Sequence, residues 1–209
     1  MFTEVAAERP EVTWQPSLLG AADEVDFSPT LDGVRRRFLG QGAWIDVVPG
    51  FVTGADRLFH EILDGTTWHA FERPMYDRVV GVPRLETRQW FERPRVVDRM
   101  SRALGRHYGV RLPSLSANLY RDGNDSVAWH GDQVGRDRVD TIVAILSLGA
   151  TRSLLLRPDG GGPSTAFALH SGDLLVQGGS CQRTFEHCVP KRAHAGPRIS
   201  VMFREQGGR

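Results

Sequence analysis

Residues 140–157 read DTIVAILSLGATRSLLLR, two short apolar runs at 140–148 and 152–157, parted by Gly149. Short apolar runs bounded by turn residues read as strands. The pattern extends outward from there. Similar segments lie at 115–120, 126–130, 165–169, 173–177, 182–188 and 198–204, separated by Gly160–Gly162, Gly172, Gly178-Gly179 and Gly196. Eight short strands with turns between them predict a sandwich or jelly roll. The last segment alternates with period 2. Arg198, Ser200, Met202 and Arg204 share one face, and Ile199, Val201 and Phe203 the other.

Upstream of Pro113 the pattern changes. Trp44 to Val48 predicts a short strand, stopped by Pro49-Gly50. Thr53 is expected to start a helix, with Asp56 three residues on as a capping box. Leu58, Phe59, Ile62 and Leu63 form its stripe, and Gly65 ends it. A second helix opens at Pro94 and carries Val96, Val97, Met100, Ala103, Leu104 and Tyr108 at helical spacing. Gly109 stands where a left-handed cap belongs. Residues 66–93 mix arginines with aromatic rings without a steady period and read as hairpins and loops. Two helices ahead of a β half predict an α+β chain with its helices packed on one sheet.

The 209 residues suit one folded unit, and 40% hydrophobic with 24% charged residues excludes a wholly disordered chain. No apolar run approaches the roughly 20 residues of a membrane span. The first residues, MFTEVAAERPEVTW, lack a basic-then-apolar leader, which predicts a cytoplasmic protein. Cys181 and Cys188 are too few for a disulfide framework or a four-cysteine zinc site. The net charge of +1 hides a division: residues 1–32 carry −6 and residues 33–209 carry +7. The first segment reads as an acidic arm with a short strand or turn near Trp14 to Leu19. Lys191 is the single lysine among 26 basic residues. Codon bias in a GC-rich genome explains that as readily as a need for bidentate anion contacts.

The chemistry centres on Trp129-His130-Gly131-Asp132. On a strand, residues i and i+2 face the same way, so His130 and Asp132 can reach one metal. His187 offers a third ligand from another segment. Two histidines and one carboxylate on one face of an octahedron make the facial triad of non-haem Fe(II) oxygenases. The same residues also fit a surface histidine and a turn aspartate. Arg198 poses a second question. An arginine facing the inside of a β-sandwich is costly unless a carboxylate meets it, and its strand face carries no acid. The far carboxylate of 2-oxoglutarate would answer that need, as would an edge position open to water. Asn118 and Tyr120 share a strand face just ahead of the histidine. Their amide and hydroxyl suit a carboxylate, though alone they read as core-edge residues.

Together these elements resemble the AlkB family of Fe(II)- and 2-oxoglutarate-dependent dioxygenases. The matching residues are Asn118-Leu119-Tyr120, Trp129-His130-Gly131-Asp132, Ser147 to Arg152, Gly172-Asp173-Leu174-Leu175, His187 to Lys191, and Arg198 to Arg204. They fall in the family's order over about residues 114–205, and Val82-Pro83-Arg84 matches a segment ahead of the core. The resemblance implies a double-stranded β-helix (jelly-roll) core with N-terminal helices packed on one sheet and a nucleotide-recognition lid. It divides the chain into an acidic N-terminal arm (1–40), helices and lid (41–113, the lid at 66–93) and a catalytic core (114–209), the last two one folded unit. It implies that His130, Asp132 and His187 bind Fe(II), that Arg198 and Tyr120 hold 2-oxoglutarate, and that Asn118 and Arg204 lie near its metal-bound end.

The implied activity is oxidative dealkylation of alkylated bases in DNA, with RNA as the alternative strand. O2 is consumed, and formaldehyde, succinate and CO2 are released. The substrate base must be flipped out of a duplex to reach the metal. A monomer with no membrane partner is expected. Three departures bear on the substrate. Val134 stands where the family places a base-reading acid, and Gln133 and Asp137 are candidate substitutes. Met202 replaces a threonine near the cosubstrate. The lid lacks the family's usual stacking aromatic, for which Trp90 and Tyr76 are candidates, with Arg84 beside them. The alternative reading is the same oxygenase acting on a protein or a small molecule.

Overall fold

The computed structural model describes residues 3–8, 10–14, 24–75, 78–87, 90–132 and 138–206. In chain order the elements are β1 (Thr3–Glu8), β2 (Asp26–Phe27), β3 (Arg35–Gly40), β4 (Ala43–Val48), β5 (Val52–Thr53), α1 (Ala55–Gly65), β6 (Trp68–Met75), β7 (Arg78–Gly81) and β8 (Leu85–Thr87). There follow α2 (Arg95–Tyr108), β9 (Ser114–Tyr120), β10 (Val127–His130), β11 (Val143–Gly149), β12 (Arg152–Pro158), β13 (Thr165–Leu169), β14 (Leu174–Gly179), the helical turn α3 (Cys181–Thr184), β15 (Phe185–Val189) and β16 (Arg198–Arg204).

Among the described residues a ten-stranded sheet runs β1-β6-β8-β9-β16-β11-β14-β4-β3, with β7 paired to β6. A second sheet, β10-β15-β12-β13, faces it. This is the double-stranded β-helix core under two helices that the sequence predicts. Period 2 along β16 divides the protein's interior in two. Ile199, Val201 and Phe203 enter a core with Leu58, Phe59 and Ile62 of α1 and Val97, Met100 and Leu104 of α2. Met202 turns the other way, between the sheets, with Ile145, Leu154, Leu156 and Leu175. That inter-sheet space is apolar at one end and opens into the functional cavity at the other.

Local signals explain the helices, with one correction. Pro94 precedes α2, and Gly109 closes it at φ +70°, its N–H on the Gly105 carbonyl. The capping box expected at Thr53 and Asp56 does not form. Gly54 takes the cap position at φ 63°, and no side chain caps α1. The Asp56 carboxylate instead accepts the Trp14 indole N–H at 3.2 Å, which draws the N-terminal segment onto α1.

That acidic segment contributes strands. β1 pairs antiparallel with β6, and β2 with β5. Its acids meet basic partners of the body: Glu4 lies 2.6 Å from His69 and Asp26 3.2 Å from Arg99. The strand or turn expected near Trp14 to Leu19 falls, from residue 15 on, outside the described residues. Within 66–93, β6 pairs antiparallel with β7, and the short β8 with β9. The segment expected as a strand at 182–188 begins as the turn α3, because the Arg183 and Thr184 N–H groups both bond the Ser180 carbonyl. No helix among the described residues is long and apolar enough to cross a membrane.

Candidate active site

Strands β10 and β15 are antiparallel neighbours, and their register sets His130 opposite His187. The two rings lie 4.3 Å apart between centroids. Asp132, two residues past His130, brings one carboxylate oxygen within 3.8 Å of His130 Nε2. One ligand atom from each of the three residues lies within 4.8 Å of the others. One divalent cation fits among them with protein donors on one side.

The proton states suit a metal. His130 Nδ1 faces the Ala128 carbonyl at 2.9 Å, so Nδ1 carries the hydrogen and Nε2 presents its lone pair to the cluster. Burial holds the His187 imidazole down at about 4, reinforced by His130 and opposed by Asp132. Burial would raise the Asp132 carboxyl, but Arg204, His187 and His130 outweigh it and hold it at about 2. At neutral pH His187 is therefore a neutral imidazole and Asp132 a carboxylate, the forms that ligate.

Positioning comes from three strands and a turn. Arg204 donates Nε–H to Asp132 Oδ2 at 2.7 Å and Nη1–H to Ser116 Oγ at 2.9 Å. Gln182, on α3, accepts the Asp132 backbone N–H at 3.0 Å, and its own amide donates to Gln177 Oε1 at 3.0 Å.

Two buried arginines lie nearby, and their partners differ. Arg152 is 1% exposed and donates to the carbonyls of Asp122, Asp125 and Pro190 at 2.7–2.9 Å. It ties together two loops at the cavity mouth. Arg198 is also 1% exposed, yet it bonds hydroxyls, donating to Ser147 Oγ at 2.9 Å and Ser200 Oγ at 2.8 Å. Tyr120, its cross-strand neighbour, sets its ring 5.3 Å from the guanidinium carbon. Among the described residues no carboxylate pairs with Arg198. Burial lowers its pKa, as expected of a cation taken out of water without an anion, but a guanidinium keeps its proton. A buried cation so placed is suited to an anionic ligand. The edge-strand alternative is thereby removed, since the side chain does not reach water.

The cluster, Arg204 and Arg198 open onto one cavity of about 860 Å³, within the range of small-ligand sites. His130, Asp132, His187, Asn118, Tyr120, Arg198, Arg204 and Arg84 all line it. Trp90 does not. It is 3% exposed in the helix-side core, its indole N–H donated to Thr66 Oγ1 at 3.1 Å. Packing claims that ring, so the expectation that Trp90 stacks on a substrate is corrected. Tyr76 and Val134, together with Gln133 and Asp137, lie outside the described residues. Cys188 is buried on β15 and carries no ligand atom of the cluster. The sequence reading missed Gln182, Ser116, Ser147 and Ser200, which orient the site from behind, and Glu86, which shares its wall. Of the two serines beside Arg198, Ser200 was legible on the alternating strand β16, whereas Ser147 lies on β11, whose residues are all buried.

Comparison with known proteins agrees with this geometry. The sequence profile described as "2OG-Fe(II) oxygenase superfamily" matches residues 51–204. The alpha-ketoglutarate-dependent dioxygenase alkB homolog 3 of Bos taurus is 31% identical, over 87% of this chain and 69% of its own length. The DNA oxidative demethylase ALKBH2 of Arabidopsis thaliana is 32% identical over 46% of this chain and 38% of its own length. Among solved structures, that of OsALKBH1 superposes with a TM-score of 0.57 at 15% identity, over 82% of this chain and all of that one.

Proposed function

The chain belongs to the 2OG-Fe(II) oxygenase superfamily and within it to the AlkB family, and on that footing we propose that it removes alkyl groups from nucleobases of DNA or RNA by oxidation. It is a dioxygenase whose metal is Fe(II) and whose cosubstrates are 2-oxoglutarate and O2. The observation that carries the site assignment is Arg198, buried without an acid in the same cavity as the His130, Asp132 and His187 cluster.

In this reading the cluster holds Fe(II). Arg198 would receive the far carboxylate of 2-oxoglutarate, with Tyr120 beside it, and Asn118 and Arg204 would lie toward its metal-bound end. When bound, Fe(II), 2-oxoglutarate and O2 supply the oxidation of the N-alkyl carbon, giving succinate and CO2 and a hydroxyalkyl group that departs from a methylated base as formaldehyde. The protein's own contribution is placement and exclusion of water. Arg204 keeps Asp132 ionised and fixed, and the Ala128 carbonyl keeps Nε2 of His130 toward the metal. Residues 66–93 would act as the nucleotide-recognition lid over a flipped base, with Arg84 on its inner side.

The nucleic-acid substrate draws support from the relative named as a DNA oxidative demethylase. A second reading, the same oxygenase acting on a protein or a small molecule, draws on Trp90, whose burial removes one expected stacking ring. A panel of methylated and etheno-modified DNA and RNA oligonucleotides, incubated with Fe(II), 2-oxoglutarate and O2, tests the choice by mass change. Restoration of an unmodified base in a 2-oxoglutarate-dependent manner supports dealkylation. Consumption of 2-oxoglutarate with every oligonucleotide unchanged favours the second reading.

A further inference from the structure

The cavity holds one acid that the reaction centre leaves unused. Its lining includes four cationic side chains, Arg84, Lys191, Arg198 and Arg204, and among the described residues two carboxylates, Asp132 and Glu86. Asp132 is committed to Arg204 and to the metal-ligating cluster. Glu86 has no part in either.

Glu86 sits at the centre of β8 and is 6% exposed. Its cross-strand neighbour on β9 is Asn118, so both side chains lie on the cavity face of the sheet. Arg84, two residues earlier, meets Glu86 Oε1 at 2.5 Å. The rim bearing Arg84 is itself anchored, because the Ser126 N–H bonds the Pro83 carbonyl at 2.7 Å. The carboxylate is thus held in one orientation on the wall. Burying a carboxylate there is costly, and an amide or apolar residue would fill the strand position as well. What a carboxylate adds to this otherwise cationic chamber is affinity for an N–H donor that bears positive charge.

We propose that Glu86, braced by Arg84, is the specificity-determining residue of the cavity. Its carboxylate accepts the exocyclic amine of a cationic alkylated base. N1-methyladenine and N3-methylcytosine, cationic and amine-bearing, are therefore preferred over N3-methylthymine, which is neutral and lacks the amine. This rests on the nucleobase reading above.

The test compares kcat/KM of wild type, Glu86→Gln and Glu86→Asp on single-lesion oligonucleotides carrying each of the three bases, with the KM for 2-oxoglutarate read alongside. Wild type should favour the two cationic bases by about 10- to 100-fold, the worth of one charge-assisted hydrogen bond, and Glu86→Gln should bring that ratio close to one. Glu86→Asp, which keeps the charge on a shorter arm, should fall between them. A ratio unmoved in Glu86→Gln, or a wild type that favours N3-methylthymine, overturns the proposal; where Glu86→Gln does not fold, an unmoved ratio in Glu86→Asp overturns it. A wild type that alters none of the three bases while still consuming 2-oxoglutarate overturns the nucleobase reading itself, and the proposal with it.

Discussion

Replacing Arg198 with methionine should separate binding from stability, because the two effects have opposite signs. The guanidinium is 1% exposed and has serine hydroxyls in place of a carboxylate. Exchanging a buried, uncompensated charge for an apolar chain of similar volume is neutral or stabilising by about 1–4 kcal/mol. Metal-loaded Arg198→Met without cosubstrate should therefore melt at or above wild type. Cosubstrate binding should collapse. Two hydrogen bonds to a charged carboxylate, at about 1.5–3 kcal/mol each, correspond to a loss of about 10²- to 10⁴-fold in Kd.

The assay is thermal melting with Mn(II), which does not turn over, with and without 2-oxoglutarate. At a hundredfold excess over Kd the ligand stabilises by about 2.7 kcal/mol. For a domain of this size that is a shift of about 5–10 °C. Wild type should show the shift and Arg198→Met should not. A variant that keeps the shift refutes the assignment of Arg198 to the cosubstrate. A variant destabilised by several kcal/mol without ligand shows that Arg198 is a structural residue like Arg152.

Three further outcomes follow from the packing and the charges. Trp90→Phe keeps the ring but loses the bond to Thr66, so urea denaturation should show a loss of about 1–2 kcal/mol, with kcat/KM within about threefold of wild type; a large activity loss at unchanged stability would return the ring to the substrate. Gly123→Ala would bring Cβ to 1.6 Å from the Arg192 carbonyl oxygen, so the loops at the cavity mouth must part, costing about 1–3 kcal/mol and exposing them to limited proteolysis. His187, held near 4 by burial against about 6.5 in the unfolded chain, resists protonation when native. The unfolded chain takes the proton first, so stability of the metal-stripped protein should fall by about 3 kcal/mol as pH drops from about 6.5 to about 4. His187→Asn should flatten that slope in denaturation curves, and an equal slope in both proteins would contradict the buried neutral imidazole.

Much of this was legible from the chain because β16 and α2 announce themselves. The alternation of Arg198 to Arg204 told which side chains face the cavity, and Pro94 with Gly109 bounded a helix of clear period. His130 ends β10 and Asp132 lies two residues on, just past the strand, so the pair needed only a partner strand to become a cluster. What stayed hidden depended on long-range packing. All three residues of β8 are buried, so it shows no alternation, and nothing local marks Glu86 as facing the cavity. Trp90 reads the same from sequence whether it meets a base or the underside of α2; the Thr66 hydroxyl, 24 residues away, decides. Thr53 carries a sound capping signal, but the left-handed turn at Gly54 takes the position and frees Asp56 for Trp14. The acidic segment shows no period, and β1 exists because the edge of β6 offers it a partner.

In the proposed function one cavity serves both the metal and the dicarboxylate. Anaerobic titration of the protein with Fe(II) and 2-oxoglutarate, followed by metal analysis and visible charge-transfer absorbance, tests that directly. One iron per chain and a visible band that requires 2-oxoglutarate are predicted for wild type. Asp132→Ala should lose the iron, and Arg198→Met should keep the iron but need far more 2-oxoglutarate to reach the band. Iron binding undiminished in Asp132→Ala, or a band that forms in Arg198→Met at the wild-type concentration, would contradict it.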